Sequence, residues 1–425
     1  MKKNLFYYLF AVICTIGLFT SCSDDDEKVV NPIPQTTFNS ENGLQLTYNG
    51  APLLGKKVTF TPDATEATKA TLRLEGEFDL AGILKGQRSN MTSPTGPGVF
   101  PGSPVTTLSV DLSINGNQCT FSGVSETEYC TFSYAGKVTA GTMDLSFTDV
   151  TLKNTALAGT VWKPTPLANT EDGGMDEPIH FVWKSGTKAA IEIFGHPSEI
   201  EINDLLLLAL RFPLFDDGSG DRVSVEQMLC SVLKDVTLGA DGNIVATYMD
   251  AANGGTEWVT SPSNMAQYVV TGDNQLLLFL NPQAIMANVD NVEKSVRTVD
   301  VGAILQQAIA ELYPMLINGV PLTYTKEGNR MKVFLGTDLL LPLMKNIVAP
   351  LFEDEEFLNM VIEAMKSDPQ FGGMAGMMVP TLKLLPEIIK NTTQLEIGLD
   401  LTQVKESTIR KGNPKLIENY YKPKC

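Results

Sequence analysis

Apolar and polar residues alternate with a period of two through the first third of the chain. Leu108, Val110, Leu112 and Ile114 form one such run, Met143, Leu145 and Phe147 another, and Leu72, Leu74, Phe78 and Leu80 a third. Alternation puts every second side chain on one face, so each run predicts a strand with one buried side. Asn115-Gly116 is the pair a two-residue hairpin turn favours, because both positions tolerate positive φ. Gly86 to Pro104 carries Pro94, Pro97, Pro101 and Pro104 among several glycines and reads as a loop. Residues 41–156 are therefore expected to form an antiparallel meander of about six to eight strands, closed or nearly closed into a barrel.

Cys119-Thr120-Phe121-Ser122 recurs as Cys130-Thr131-Phe132-Ser133. With a turn at Ser125 to Glu128, the two cysteines face the same way but lie about 13 Å apart along their strands. That offset forbids a disulfide and predicts two buried thiols. A tighter turn at Val124-Ser125 would set them opposite each other. Cys230 and Cys425 complete the cysteines beyond the N-terminal segment. The four lack CxxC spacing, so no zinc site is expected.

A second unit, 157–425, opens at Ala158-Gly159-Thr160-Val161-Trp162. It holds all three tryptophans, Trp162, Trp183 and Trp258, each on a predicted strand. Turns are expected at Asp241-Gly242-Asn243, Gly272-Asp273-Asn274 and Glu327-Gly328-Asn329. Glu199 to Arg211 reads as a helix. Ser224-Val225-Glu226-Gln227 is a capping box that starts the next, with Met228, Leu229, Val232 and Leu233 as its apolar stripe. Residues 282–318 and 337–390 are also expected to be mainly helical, and Gln394 to Leu399 a strand.

The start of the chain supplies an address. Lys2 and Lys3 precede an almost wholly apolar run from Leu5 to Phe19 that ends at small residues, the pattern of a signal peptide. Thr20-Ser21-Cys22 resembles the lipobox of bacterial lipoproteins, with Phe19 where that family more often has Leu. The resemblance implies cleavage before Cys22 and acylation of Cys22. Several acyl chains anchor stably where one binds only marginally. Ser23-Asp24-Asp25-Asp26-Glu27 resembles the acidic export signal of Bacteroidetes surface lipoproteins, which implies display on the outer face of the outer membrane. The plainer reading of the same run is a solvated acidic tether. The layout expected is a signal peptide at 1–21, anchor and tether at 22–40, and the two units at 41–156 and 157–425.

Loss of Lys2 and Lys3 takes the net charge from −17 to −19. A surface so acidic repels nucleic acid and anionic headgroups, so the membrane is reached only through the lipid. No later segment offers the roughly 18 apolar residues of a spanning helix.

Gly159-Thr160-Val161-Trp162, Asp241-Gly242-Asn243 with its alternating strand, and Glu257-Trp258-Val259 are similar to the lipocalin-like domains of Bacteroidetes lipoproteins. The N-terminal meander resembles their calycin-like β-barrels. The whole resembles a family of gut Bacteroides surface lipoproteins with this two-part layout. The fold class this implies is α+β, with two antiparallel β-barrel-like (calycin-like) domains, the second with large helical insertions. Lipocalins have Gly-x-Trp near the first strand, and here one further residue separates Gly159 from Trp162. The resemblance brings no activity and no cofactor.

The chemistry-bearing residues form no catalytic or metal constellation. His180 has Asp176 and Glu177 just upstream but is read as a structural histidine near a strand end. His196-Pro197 is read as a turn. Asp216-Asp217-Gly218-Ser219-Gly220-Asp221 suits a hard cation in spacing. Counted from Asp217, however, the EF-hand glycine position holds Arg222 and the bidentate glutamate position Met228, leaving an exposed acidic loop. Met360, Met365, Met374, Met377 and Met378 are read as core packing. The expected function is non-enzymatic binding of a small apolar or glycan-derived ligand at the cell surface, with Trp162, Trp183 and Trp258 lining the site. The alternatives are a structural or adhesive protein with filled barrels and a hydrolase with an unmarked carboxylate pair. Replacing Cys22 with Ala is expected to abolish acylation. Labelled fatty acid that still entered the variant would refute the anchor.

Overall fold

The computed structural model describes residues 31–78, 95–170, 174–193, 196–216, 221–250, 256–288, 312–367 and 372–404. The signal peptide, Cys22, the run Ser23 to Glu27, Cys425 and residues 217–220 of the acidic loop lie outside them.

Among the described residues ten strands build the first unit, more than the six to eight expected, and the first of them lies in the stretch 22–40 expected to be tether: β1 (Thr36–Asn39), β2 (Leu44–Tyr48), β3 (Ala51–Pro52), β4 (Lys56–Pro62), β5 (Lys69–Gly76), β6 (Val105–Asp111), β7 (Ser113–Asn115), β8 (Gln118–Glu126), β9 (Cys130–Val138) and β10 (Met143–Leu152). They form two sheets, β1-β4-β5-β6 and β3-β2-β10-β9-β8-β7, rather than one continuous meander. The chain passes from one sheet to the other at Leu112, between β6 and β7. β2 pairs with β10 in parallel, Leu44 opposite Met143 and Tyr48 opposite Phe147. A meander pairs only chain neighbours, and here the edge of β10 is covered by a strand from the far end of the unit. The β7–β8 hairpin loop is Gly116-Asn117, since Asn115 pairs with Gln118, one residue later than expected.

The described end of the proline-rich loop, residues 95–104, is not superficial. Val99 and Phe100 are fully buried between the sheets. Phe100 stacks on Phe132 at 4.0 Å and meets Phe147 edge-on at 4.8 Å, both geometries that aromatic quadrupoles favour. Lys56, itself buried, donates from Nζ to the Pro97 carbonyl at 2.7 Å and ties the loop to β4. The β8–β9 turn closes with Thr127 N–H on the Cys130 carbonyl. Cys119 and Cys130 are free and buried, but the turn lies later than Ser125 to Glu128, because Ser125 and Glu126 pair with Phe132 and Thr131; Cys119 stands opposite Val138, further from Cys130 than expected.

The second unit contains a closed barrel of eight antiparallel strands in up-and-down order: Thr160–Pro164, Leu233–Leu238, Asn243–Met249, Ala266–Gly272, Gln275–Leu280, Val320–Glu327, Arg330–Leu335 and Thr392–Gln403. Closure comes from pairing of the first with the last, Trp162 opposite Gln403 and Pro164 opposite Leu401. Strand alternation sends Trp162, Tyr268, Leu276, Tyr324, Met331 and Leu401 inward, and all are buried. On the same inward face at the other end, Tyr248, Leu280 and Ile397 are exposed.

The last strand is longer than the barrel needs. Its first half also pairs with Ile179–Ser185, and the extension carries a second core. Trp183, Ile202, Leu205, Ile388, Ile389 and Leu395 are buried there, with Met377 and Met378 packed against them as core side chains. Helices Thr337–Leu343, Ala349–Glu353, Glu355–Ser367 and Gly372–Lys390 belong to this layer. The helix expected from Glu199 begins at Ile202, because His196–Ile200 is instead a strand paired with Ala189–Ile193. His196 is therefore a strand residue and not a turn. Among the described residues no helix is long and apolar enough to cross a membrane.

The two units share one apolar core, which runs from Phe38 and Tyr48 through Leu152 to Trp162, Tyr268 and Tyr324. Polar contacts fix their orientation. Tyr48 Oη donates to the Asp241 carbonyl at 2.6 Å, and Leu152 N–H to the Ala240 carbonyl at 2.8 Å. Asn264 donates to the Pro52 carbonyl at 3.0 Å and Asn281 to that of Leu54 at 3.0 Å. Gly242 takes φ +86° in this buried turn, and a Cβ there would crowd Pro101 and Leu152 of the first unit at 3.2 and 3.3 Å. The Asp241-Gly242-Asn243 turn is thus a joint between the units as well as a hairpin.

Burial lowers the pKa of Lys56 from 10.5 to about 7. Between these values the unfolded chain binds the proton and the folded protein does not, so stability rises with pH across that window. Lys56→Met removes the titration. The stability of the parent relative to the variant is expected to climb by about 1.4 kcal/mol per pH unit between pH 7 and 10. Denaturant unfolding at stepped pH checks this, and a constant difference would mean that Lys56 is hydrated.

Candidate functional site

Asp176 and Glu177 are adjacent in sequence and turn to different arginines. Asp176 accepts a hydrogen bond from Arg330 Nη1 at 2.5 Å. The same guanidinium grips the buried Asp400 carboxylate from Nε at 3.0 Å and Nη2 at 2.9 Å, a bidentate pair on the barrel wall. Thr165 Oγ1 donates to Asp400 Oδ1 at 2.9 Å, and Thr165 N–H to the Asp400 carbonyl. Glu177 instead accepts from Arg211 Nη2. Arg211 ends the helix Ile202–Arg211, where the helix dipole favours a cation. The Met175–Asp176 strand is thereby pinned to the barrel on one side and to the helix on the other.

Between these anchors lies a cavity of about 450 Å³ lined by Leu167, Met175, Arg211, Pro213, Arg222 and Glu226, among others. Volumes of this order suit small-molecule ligands. Met175, Leu208 and Phe212 are 48, 48 and 49 % exposed, so apolar surface surrounds this part of the protein.

Glu226 sits in the first turn of the helix Val225–Val232. Ser224 and Gln227 close the capping box as expected: Gln227 N–H donates to Ser224 Oγ at 3.2 Å, and Ser224 N–H to Gln227 Oε1 at 2.8 Å. Cys230 Sγ reaches the Thr165 carbonyl at 3.8 Å and sets this helix against the end of the first barrel strand. Glu226 is 0 % exposed. Among the described residues its closest ionic contact is Arg211 Nε, 3.9 Å from Oε2. Among the described residues no donor makes a hydrogen bond to either carboxylate oxygen, and Arg211 Nε has no acceptor. Burial pushes the Glu226 pKa up, the charge of Glu177 adds to this, and Arg211 opposes it. A buried carboxylate without hydrogen bonds is costly, on the order of 1–3 kcal/mol or more. This residue belongs to the lining of the cavity.

The tryptophans do not converge. Trp162 is buried inside the barrel, with its Nε1–H on Thr160 Oγ1 at 2.7 Å and Lys326 Nζ 5.6 Å from its ring. Trp183 belongs to the second core and donates to Thr392 Oγ1 at 2.8 Å. Trp258 lies on Trp258–Thr260, a side strand branching off the barrel, with Lys234 Nζ at 6.0 Å. His180 pairs with Glu396 across the sheet at 2.8 Å and packs on Phe334, leaving Asp176 and Glu177 to the arginines. Among the described residues no three His, Cys, Asp or Glu side chains are grouped to hold a metal ion. A groove of about 630 Å³ near Ala349 and Ile389 is bordered by Lys345, Glu353, Glu387 and Lys390, all exposed.

Sequence reasoning found the capping box and missed Glu226, which lies between its two members. An acid in the first turn of a helix is ordinarily a solvated residue favoured by the dipole. Nothing local to Glu226 announces that it will share a cavity wall with Leu167, Ala168, Asn169 and Met175. Comparisons of the chain with protein-family models, with curated proteins and with solved structures find no match.

Glu226→Gln is expected to raise the melting temperature. The folded pKa lies above the ordinary glutamate value of 4.5, so the acid's favourable contribution is full below that value and is lost as pH rises through the folded pKa. The advantage of the variant should therefore widen from acid to neutral pH. Thermal melts across that range check it; a variant that melted lower at neutral pH would show a carboxylate already satisfied by hydrogen bonds.

Proposed function

We propose that this chain is a surface-displayed lipoprotein of the outer membrane, anchored through Cys22, that binds a small ligand without transforming it. Thr20-Ser21-Cys22 supports the anchor, and the acidic run Ser23 to Glu27 supports display. The single observation behind the binding role is Glu226, fully buried, on the wall of a cavity, with neither oxygen hydrogen-bonded by the described residues. A protein selected for stability alone gains by replacing such a group.

The ligand site in this reading is beside the barrel and not within it. The inward residues around Trp162 are packed, which leaves that tryptophan a core role. The up-and-down order of the eight strands supports a calycin-like second unit. The two sheets of the first unit, joined where the chain bends at Leu112, support a flattened relative of the same plan. Hydrolysis by a carboxylate pair finds less support, because Glu177 is committed to Arg211 and does not line the cavity.

The test is a thermal-shift screen of the mature protein against neutral sugars, amino acids and fatty acids. A ligand present at about 100 times its Kd adds about 2.7 kcal/mol, a shift of a few degrees for a protein of this size. At least one class is expected to shift the parent and to leave the double variant Arg222→Ala/Glu226→Gln unmoved. No shift from any class, or equal shifts in both proteins, would remove this cavity as a binding site.

A further inference from the structure

If the cavity takes a ligand, as proposed above, its wall specifies the class. Glu226 offers two acceptor oxygens side by side, neither hydrogen-bonded by the described residues. Arg222 and the buried Nε of Arg211 offer donors from the same wall. Leu167, Met175 and Pro213 supply apolar surface. Arg211, Arg222, Glu177 and Glu226 sum to no formal charge, so a ligand that adds none leaves the balance undisturbed.

Charged ligands fit less well. An ammonium placed on Glu226 would lie beside Arg211, whose Nε is 3.9 Å from that carboxylate. An anion placed on Arg222 would share the cavity with Glu226. At such short range like charges repel, and both juxtapositions are unfavourable. Hydroxyl groups escape both, because they donate and accept without charge. Two hydroxyls on neighbouring carbons can donate to the two oxygens of one carboxylate.

The geometry points to a neutral sugar of one or two rings, with vicinal hydroxyls donating to Glu226 Oε1 and Oε2, oxygens accepting from Arg222, and a C–H face against Met175 and Pro213. Hydrogen bonds to a charged group are the stronger kind, so Glu226 carries most of the affinity and Arg222 most of the orientation. The half-exposed Met175 is placed to meet the ring face as it enters.

Calorimetric titration of the mature lipoprotein with D-glucose, D-galactose and D-mannose, and separately with L-alanine and L-lysine, tests this. At least one hexose is expected to bind and neither amino acid. Glu226→Gln should weaken the hexose by about tenfold or more, the scale of one charge-assisted hydrogen bond. Arg222→Ala, at an exposed position, should weaken it as well and serves if Glu226→Gln does not fold. Binding of an amino acid in place of every hexose would overturn the sugar assignment while leaving the cavity a ligand site. Hexose binding that neither variant weakens would overturn the assignment to these residues. Binding of none of the five, together with a blank thermal-shift screen, would overturn both readings.

Discussion

The bidentate grip of Arg330 on Asp400 is the contact on which the rest of the second unit depends. A sheet closed into a barrel leaves no edge, but the seam between first and last strands must hold for closure to persist. Here that seam is only three residue pairs long. Asp400, buried beside it, is held by Arg330 from the neighbouring strand and by Thr165 from the first. Arg330 then reaches outward to Asp176, and the next residue, Glu177, reaches Arg211. Two consecutive acids so transmit the position of the barrel wall to a helix outside it, and the space between becomes the cavity that contains Glu226.

Local signals were legible and remote ones were not. The capping box Ser224–Gln227 could be read because its partners are three residues apart and each answers a backbone need of the other. The turns at Asp241-Gly242-Asn243 and Glu327-Gly328-Asn329 could be read for the same reason. Buried thiols at Cys119 and Cys130 could be read from strand alternation, whereas the turn between them could not be placed: Ser125 and Glu126 are paired strand residues. The parallel pairing of β2 with β10 could not be read, since alternation fixes which face is buried but not which strand lies alongside. Nor could the scatter of Trp162, Trp183 and Trp258: each lies on a strand, yet one faces the barrel, one the helical layer and one a side branch. Asp176 and Glu177 looked like partners for His180 only because they are close in sequence.

The cavity illustrates a conflict between stability and use. Asp400 is buried and its two oxygens accept hydrogen bonds from Arg330 and Thr165, so its charge is compensated and the pair holds the fold. Glu226 is buried as well but left incomplete, its contact with Arg211 3.9 Å long and its oxygens without donors from the described residues. The same residue types thus serve opposite ends within one unit. What separates them is whether the protein itself supplies the remaining hydrogen bonds. Incomplete sites of this kind are where pKa values drift and where ligands find groups already stripped of water.

The central claim is that Glu226 is a carboxyl group removed from water and left without hydrogen bonds by its own protein. Carbon-13 NMR of the Glu226 carboxyl, followed through a pH titration of the ligand-free protein, reports on this directly. The account predicts a midpoint above the ordinary value of 4.5, because burial and the neighbouring Glu177 outweigh Arg211. A midpoint at or below the ordinary value would contradict it, since only a hydrated, hydrogen-bonded or fully ion-paired carboxylate titrates there.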